Sequence, residues 1–294
     1  MRAYLVRITT IASVLLTAAA ATAVAGCSPQ GGAGPANTTS AGVLTCAKTD
    51  LKTLAAGKLT IGTDDPVYPP WFVDNKPDNS QGFEGAVAYA VASKLGYDKA
   101  NVVWTRVTFN NAIAPGPKTY DFDVNEFSIT DERKKAVDFS APYYDVTQAV
   151  IALKTSKIAG VKTIAALKDA KLGAQVGTTS YKAITDVIKP NAQPAVYNNN
   201  DDAKKKLEDG SIDGLVLDLP TAFYVTSAEI ANSVIVGQLP QPAGQPEQFG
   251  LVLDKGSTLT RCVSGAVEAL RKDGTLASLE TEWLAKVAGA AKLT

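Results

Sequence analysis

The segment from Asp121 to Tyr144, DFDVNEFSITDERKKAVDFSAPYY, decides how the chain around it is arranged. Its first half, up to Ile129, is rich in strand-forming residues and is bounded by polar turns, as is typical of a strand. Thr130 and Asp131 then offer N-caps for a helix. The segment therefore predicts a strand that runs through a tight turn into a helix.

Arg133 falls in the first turn of that predicted helix, together with two lysines. A basic first turn is unfavourable, because the positive end of the helix dipole favours acidic residues. The turn would place free backbone N–H groups beside a guanidinium, a combination that binds a carboxylate. The alternative is an ordinary solvated arginine. The strand–turn–helix setting favours an anion site.

Strands and helices alternate on both sides of this segment. One series starts at the Lys58–Asp64 strand, and a second runs from Ile164 to Leu239. Two such series predict two α/β lobes with mostly parallel strands. The helical region 258–286 is too short to form a lobe, so the chain is expected to return to the first lobe. The first lobe is predicted to comprise residues 46–146 and 248–294, and the second lobe residues 147–247. The chain would cross between the lobes twice, at a hinge that lets them close on a ligand.

The first 26 residues are typical of an export signal. Arg2 and Arg7 precede an uncharged stretch that ends in small residues. Cys27 follows directly, which resembles the lipobox of bacterial lipoproteins and predicts lipid attachment at Cys27. An uncleaved membrane helix is the alternative, since the stretch is nearly long enough to span a bilayer. Residues 27–45 carry no charge and are rich in Gly, Pro, Ser and Thr, which predicts a flexible tether.

Composition excludes several functions. The chain has 29 basic and 29 acidic residues, and without the two leader arginines the balance is 29 − 2 = 27 to 29. Such a balance gives no support for nucleic acid as a partner. The absence of histidine excludes histidine-based nucleophilic catalysis and most zinc sites, so neither a metal nor a cofactor is expected.

In an exported protein, Cys46 and Cys262 are predicted to form a disulfide rather than a redox or metal pair.

Three further segments offer pocket residues. The loop after the first strand contains Asp65 and Tyr68, at the strand end where ligands bind in open α/β sheets. Tyr68 or Trp71 could stack on a small ligand, but Trp71 and Phe72 are expected instead to pack the lobe surface. Thr179 follows a Gly-Thr turn between a strand and a helix, where N–H groups bind anions or are simply capped. Asp218 ends an apolar strand, where it would either point into a polar cleft or cap the next helix.

These motifs occur together in one order that resembles a known family. They are Gly62-Thr63-Asp64, Tyr68-Pro69-Pro70, Gly82-Phe83-Glu84, Ser128-Ile129-Thr130-Asp131-Glu132-Arg133, Asp138-Phe139-Ser140, Pro142-Tyr143-Tyr144, Gly177-Thr178-Thr179 and Asp213-Gly214 with Asp218. The order is similar to that of the polar amino-acid binding proteins of bacterial ABC importers, the family-3 solute-binding proteins. The resemblance covers the chain from Lys58 to Trp283. It implies the two-lobed, type II periplasmic-binding-protein-like fold.

The resemblance also implies roles for individual residues. Arg133 would hold the ligand α-carboxylate with the N–H groups of Ser128 and Thr179, and Asp218 would take the α-ammonium. One guanidinium and one carboxylate suit a zwitterion, since neither buried charge is then left alone. Tyr68 matches the aromatic wall of the family, and Phe109 lies about where the opposite wall forms.

Two positions depart from the family pattern. Glu84 replaces the usual aspartate of Gly-Phe-Asp, and Glu126 lies where Gly, Ser or Gln is usual. With Asp64 and Asp65, these acids outnumber the single Arg133 in the segments expected to line the first-lobe pocket. Surplus carboxylate repels acidic side chains, so a basic or neutral polar amino acid is predicted over glutamate and aspartate.

The sequence thus predicts a lipid-anchored, monomeric receptor on the extracytoplasmic face of the cell membrane. It would capture a free polar L-amino acid and present it to the membrane permease of an ABC importer, without covalent chemistry. An exported dehydratase-like enzyme, with Glu126 as general acid or base, is one alternative. A sensor domain is another, although the chain shows neither a second span nor an output domain.

Overall fold

Two five-stranded sheets organise the folded chain in the computed structural model, which describes residues 46–241, 246–285 and 289–294. The predicted signal peptide, the tether and Cys27 lie outside the described residues. Within the described ranges, no helix combines the length and apolar character needed to cross a bilayer. We call the part built on the first sheet lobe 1 and the part built on the second sheet lobe 2.

The elements follow the predicted alternation. The strands are β1 (Leu59–Thr63), β2 (Val102–Arg106), β3 (Phe122–Asp123), β4 (Val137–Phe139), β5 (Tyr144–Val146), β6 (Gln148–Leu153), β7 (Leu172–Gln175), β8 (Ala195–Tyr197), β9 (Gly214–Asp218), β10 (Ser233–Gln238), β11 (Glu247–Phe249) and β12 (Val252–Asp254). The α-helices are α1 (Phe83–Lys94), α2 (Phe109–Ile113), α3 (Thr179–Ala183), α4 (Asn200–Glu208), α5 (Leu219–Tyr224), α6 (Thr260–Lys272) and α7 (Thr275–Leu284).

Lobe 1 is built on the sheet β2-β1-β3-β12-β4, against which α1, α6 and α7 pack. Its core is aromatic: Trp71 packs edge-on against Phe83 and Phe249, with ring centroids 6.1 and 5.6 Å apart. Trp71 and Phe72 are buried at 1% and 0% exposure, in the core and not on the lobe surface, and both also border the cavity between the lobes. The predicted disulfide between Cys46 and Cys262 is also present and ties the start of the folded chain to α6.

Lobe 2 is built on the sheet β10-β6-β9-β7-β8, with an aliphatic cluster on each face. Its central strands β6 and β9 carry Val150 and Val216 to one face and Ile151 and Leu215 to the other. A strand buried on both faces needs apolar residues at successive positions, which explains the Ala-Val-Ile-Ala composition of β6. The sequence analysis did not identify β6 as a strand.

The sheets are mixed, not mostly parallel as predicted. In each sheet two strand pairings are parallel and two are antiparallel. In lobe 2 the antiparallel pairings are those of β6, and in lobe 1 they are those of β12. Each of these strands enters its sheet just after the chain has crossed between lobes. The chain therefore runs against its new neighbours, whereas the βα units within each lobe stay parallel.

The two crossings pair with each other as a small antiparallel sheet, β5 with β11, in which Val146 opposes Glu247. The predicted hinge refers to these two segments. The final residues differ from the predicted range, because 290–294 lie against lobe 2. Lys292 bridges to Gln238, and Leu293 is 4% exposed in the lobe 2 core. An apolar residue near the C-terminus is buried there, in a contact that the local sequence does not specify.

The Asp121–Tyr144 segment also differs from its prediction. The strand ends at Asp123, and only a short 3-10 turn, Arg133–Lys135, replaces the predicted helix. Glu126 has a φ of 51°, in the left-handed region that interrupts a strand. Ser128 then bridges to Phe249 of lobe 1, and β4 begins at Val137, so the 3-10 turn lies between two paired segments.

Candidate functional site

A cavity of about 430 Å³ lies between the lobes, at the ends of β1, β7 and β9. Both lobes contribute to its lining. Six of the predicted site residues line it, namely Asp65, Tyr68, Phe109, Glu126, Thr179 and Asp218. Strand ends converge here because the parallel strands of each sheet stop at the same edge, as expected for ligand sites in α/β folds.

Arg133 and Ser128 lie beside the lining, buried at 8% and 1% exposure. The guanidinium donates from Nη1 to the Ser128 carbonyl at 2.7 Å and from Nη2 to the Gly177 carbonyl of lobe 2 at 2.9 Å. Its Cζ lies 5.2 Å from the centre of the Phe109 ring. Burial lowers the pKa of Arg133 to about 10, so it stays charged at neutral pH. Two neutral carbonyls thus orient this charge without neutralising it.

The two lobes meet closely around Gly177 and Thr179. The Ser128 hydroxyl lies 3.2 Å from the Thr179 hydroxyl across the cleft. Gly177 has a φ of 75°, and a side chain there would come within 2.8 Å of the Asn110 amide oxygen in lobe 1. The positive φ favours glycine at this point, whereas the contact with the exposed Asn110 side chain could be relieved by a change of its rotamer. Thr178, not Thr179, caps α3, since its side chain accepts from the N–H of Tyr181.

Asp218 ends β9 and points into the cleft. No side-chain cap bond joins it to α5, so the helix-cap alternative is wrong. Its Oδ1 instead accepts from Nε2 of Gln148 at 2.5 Å. The same amide lies 3.1 Å from Oε2 of Glu247, and Ser180 donates to its oxygen at 2.7 Å, which fixes its orientation. Burial and then the charge of Glu247 raise the pKa of Asp218 well above its usual value.

Glu126 and Glu84 form the opposite, lobe 1 side of this acidic region. The backbone N–H of Glu126 donates to Oε1 of Glu84 at 2.7 Å. Oε2 of Glu126 accepts from the Thr221 hydroxyl of lobe 2 at 2.7 Å, and that hydroxyl accepts from Nε1 of Trp71 at 2.8 Å. Burial, and then the charges of Asp218 and Glu84, raise the pKa of Glu126 well above its usual range. Burial also raises the pKa of Glu84 to about 7.

Tyr68 and Asp65 lie at the edge of the cavity. Nζ of Lys204 in lobe 2 lies 4.4 Å from the centre of the Tyr68 ring, and the ammonium pairs with Asp201 at 2.8 Å and Glu229 at 2.7 Å. Tyr68 therefore forms a wall and also a contact between lobes. The Asp65 side chain is 59% exposed and accepts from Asn75 at 3.0 Å. Its charge is directed mainly to solvent.

Sequence reasoning missed Gln148, Thr221 and Glu247. Gln148 is a polar residue at the start of a buried strand, which was a usable signal, because buried amides require partners. Thr221 and Glu247 carried no such signal, since their roles depend on contacts across the cleft. The described residues contain no group of three or more His, Cys, Asp or Glu side chains arranged to hold a metal ion.

Residues 59–286 match the family described as bacterial extracellular solute-binding proteins, family 3. The chain is 29% identical over 236 residues to the ABC transporter arginine-binding protein 1 of Escherichia coli (strain K12), covering 78% of this chain and 91% of that protein. A solved structure of an ancestral arginine-binding protein bound to arginine is 33% identical, covers 77% of this chain and 98% of that chain, and has a TM-score of 0.63. A second solved structure, of an ancestral arginine-binding protein bound to glutamine, is 31% identical to this chain and has a TM-score of 0.64. The likeness covers 78% of this chain and 98% of that chain.

The likeness in fold agrees with the predicted two-lobed, type II arrangement, and the family match spans both sheets. The matched range also contains the hinge and the cavity residues described above. The chain therefore belongs to the bacterial extracellular solute-binding proteins of family 3.

Proposed function

We propose that the protein captures a free polar L-amino acid outside the cytoplasm and delivers it to the permease of an ABC importer. One observation carries this proposal: the half-buried carboxyl of Asp218 in lobe 2 lines the cleft, and the buried guanidinium of Arg133 in lobe 1 lies beside it. A zwitterion needs one group of each sign, so binding pairs both charges. The similarity to proteins named as arginine-binding supports it.

The roles follow from position. Arg133 would turn its remaining N–H donors to the ligand α-carboxylate, helped by Ser128 and Thr179. Asp218 would accept from the α-ammonium, while Tyr68 and Phe109 would form the walls. Because these groups belong to both lobes, a ligand that contacts all of them favours the closed form over the open one. The hinge formed by β5 and β11 is the element that would bend.

The side-chain end of the pocket favours a basic or neutral polar amino acid. Glu126 lines it, Glu84 lies directly behind Glu126, and Asp218 faces them, whereas Arg133 is needed for the α-carboxylate. Another carboxylate in this region would meet like charges in a partly desolvated site. The similar structures, named with arginine and glutamine as ligands, agree with this choice.

We also propose that Cys27 carries lipid and anchors the protein, as a monomer, on the outer face of the cell membrane. This rests on the signal-like segment before Cys27 and on the extracellular character of the family. Metabolic labelling with a fatty acid, compared between wild type and Cys27→Ser, tests it. Label that persists in the variant would contradict lipidation at this cysteine.

A thermal-shift screen of the twenty amino acids tests the function. A ligand that binds only the folded protein raises the unfolding midpoint, so we expect shifts with basic and neutral polar amino acids and none with glutamate. No shift with any amino acid, followed by no heat of binding in calorimetry, would refute the proposal. Recovery of the ligand unchanged after long incubation distinguishes a receptor from an enzyme.

A further inference from the structure

Glu247 lies in the hinge strand β11 and joins the two lobes through hydrogen bonds. Its Oε1 accepts from the Ser128 hydroxyl of lobe 1 at 2.5 Å. Its Oε2 accepts at 3.1 Å from Nε2 of Gln148, the first residue of β6 in lobe 2. Both oxygens thus meet donors, which suits an ionised carboxylate, because such a group can only accept hydrogen bonds.

The side-chain amide of Gln148 is held in one orientation. Ser180 donates to its oxygen at 2.7 Å, so its NH₂ group is directed to Asp218 at 2.5 Å and to Glu247. An amide nitrogen has two N–H bonds, and these two carboxyl groups take one each. The Thr179 hydroxyl lies farther from the same nitrogen, at 3.5 Å. The proton of Thr179 is therefore free to be donated elsewhere.

The Ser128 hydroxyl has one proton and two neighbours that could accept it. The Glu247 carboxylate lies at 2.5 Å and the Thr179 hydroxyl at 3.2 Å. A charged acceptor forms the shorter and stronger bond, so the proton is directed to Glu247. Thr179 then donates to Oγ of Ser128, since their contact needs one proton. Because a hydroxyl oxygen has two lone pairs, Oγ of Ser128 keeps one for a further donor.

The direction of these bonds matters for an amino acid, whose α-carboxylate and α-ammonium need opposite partners. A hydroxyl whose proton is bound to Glu247 cannot donate to the carboxylate, but it can accept from the ammonium. On the basis of the proposed function, we propose that Glu247 is a positioning residue: it fixes the Ser128 hydroxyl as an acceptor for the ligand α-ammonium, beside Asp218. Arg133 and backbone N–H groups then bind the α-carboxylate.

Glu247 has a second charged neighbour through which it could act. Burial lowers the pKa of Arg133, and the charge of Glu247 opposes that effect. A role through Arg133 would concern the ligand α-carboxylate, which every carboxylic acid carries. A role through Ser128 concerns the α-ammonium alone. Ligands with and without the amino group therefore separate the two roles.

Two pairs of probes make this separation. They are L-arginine with δ-guanidinovalerate, and L-glutamine with glutaramate, each acid being the amino acid without its α-amino group. Calorimetry measures the stronger affinities and competition the weaker ones. In Glu247→Ala we expect both amino acids to lose about tenfold in affinity, the equivalent of one charged hydrogen bond, and both acids to change by less than about twofold.

Two further variants at glutamate positions serve as comparisons. Glu247→Gln keeps an oxygen that can accept from Ser128, so it should lose less affinity for the amino acids than Glu247→Ala. Glu268→Ala, at an exposed position of α6, is the matched control and should bind as wild type. A loss as large in Glu247→Gln as in Glu247→Ala, with the two acids unaffected, would make the charge rather than the orientation of Ser128 responsible and overturn the proposal.

The path through Ser128 is tested by Ser128→Ala. This variant should bind the two amino acids more weakly and the two acids as wild type does, because the hydroxyl serves the ammonium. Adding Glu247→Ala to it should cost less than about twofold more, since residues that act through one contact are not additive. Where the acids bind too weakly to measure, this double variant decides. Ser128→Ala by itself decides if Glu247→Ala does not fold.

Three outcomes would count against these ideas. Equal losses for the probes with and without the amino group would assign Glu247 to Arg133 or to the hinge and overturn the proposal. Fully additive losses in the double variant would overturn it as well. In both cases wild-type protein still binds amino acids. Absence of binding to wild type by any amino acid would instead refute the proposed function.

Discussion

The two ends of the cleft hold their charges in opposite ways. At one end Arg133 is buried, oriented by two neutral carbonyls and stacked near the Phe109 ring. At the other end the backbone N–H of Glu126 donates to Glu84, and Asp218 lines the same cavity from lobe 2. Among the described residues Arg133 has no ion-pair partner within 4 Å, whereas burial raises the pKa of each of the three carboxyls at the acidic end.

This difference has a consequence for recognition. A preorganised cation held by neutral partners binds an anion without first breaking an ion pair, which suits the invariant α-carboxylate of any amino acid. A cluster of carboxyls with raised pKa values can change its charge, which suits the variable side chain. Arg133 and Asp218 are therefore expected to be essential for every ligand, and Glu126 with Glu84 behind it to choose among ligands.

The largest expected effect tests the basic end. Arg133→Ala should cost about 3–5 kcal/mol of binding, or about a few hundred- to a few thousand-fold in affinity, because the ligand carboxylate is left buried and unpaired. Calorimetry on the folded variant measures it. Lys134→Ala, which removes an exposed neighbour paired to Asp131 at 3.1 Å, is the control and should change affinity little. Near-normal affinity in Arg133→Ala would refute the assignment of Arg133 to the ligand α-carboxylate.

The next effect tests whether Asp218 serves every ligand. Asp218→Asn keeps the shape of the side chain but removes the partner of the α-ammonium, so affinity should fall by about 2–4 kcal/mol for basic and neutral ligands alike. Competition binding measures both. A loss confined to basic ligands would move Asp218 from the common part of the site to the selective part. Asp209→Asn, at an exposed position, is the control.

A third prediction concerns pH and Glu84. Its pKa rises from 4.5 to about 7 on folding, so between these values the folded protein holds a proton that the unfolded chain has lost. The contribution of Glu84 to stability is therefore full below about pH 4.5 and declines as pH rises to about 7. Urea unfolding at several pH values should show a shallower decline in Glu84→Gln than in wild type. Parallel curves would contradict the raised pKa.

The smallest effect tests the link between the two lobes. Thr221→Val removes the hydroxyl between Trp71 and Glu126 and leaves the indole N–H without its partner. We expect the closed form to lose about 1 kcal/mol, and affinity for every ligand to fall about fivefold. Thr221→Ser keeps the hydroxyl and should bind as wild type. Equal losses in both variants would assign the effect to packing.

Much of the fold was predictable because local patterns specify it. The βα series, Gly96 after α1, and Pro220 in the first turn of α5 act within a few residues of themselves. The short strands were missed or misjudged, since β4, β5 and β6 depend on partners far along the chain. The site was predictable as a set of residue types in order. The distinction between residues that line the cavity and Arg133, which lies beside it, was not predictable.

The sequence by itself determined which chemical groups were available: an arginine and surplus carboxylate for the cleft, two cysteines for a disulfide elsewhere in lobe 1, and no histidine. These follow from composition and motif order, which folding does not alter. Only the tertiary structure decided which carboxyls meet, that Gln148 joins Asp218 to Glu247, and that Thr221 joins the lobes. Charge state and hydrogen bonding in the cleft depend on burial and on distances of a few ångströms between residues far apart in sequence. No local pattern encodes such distances.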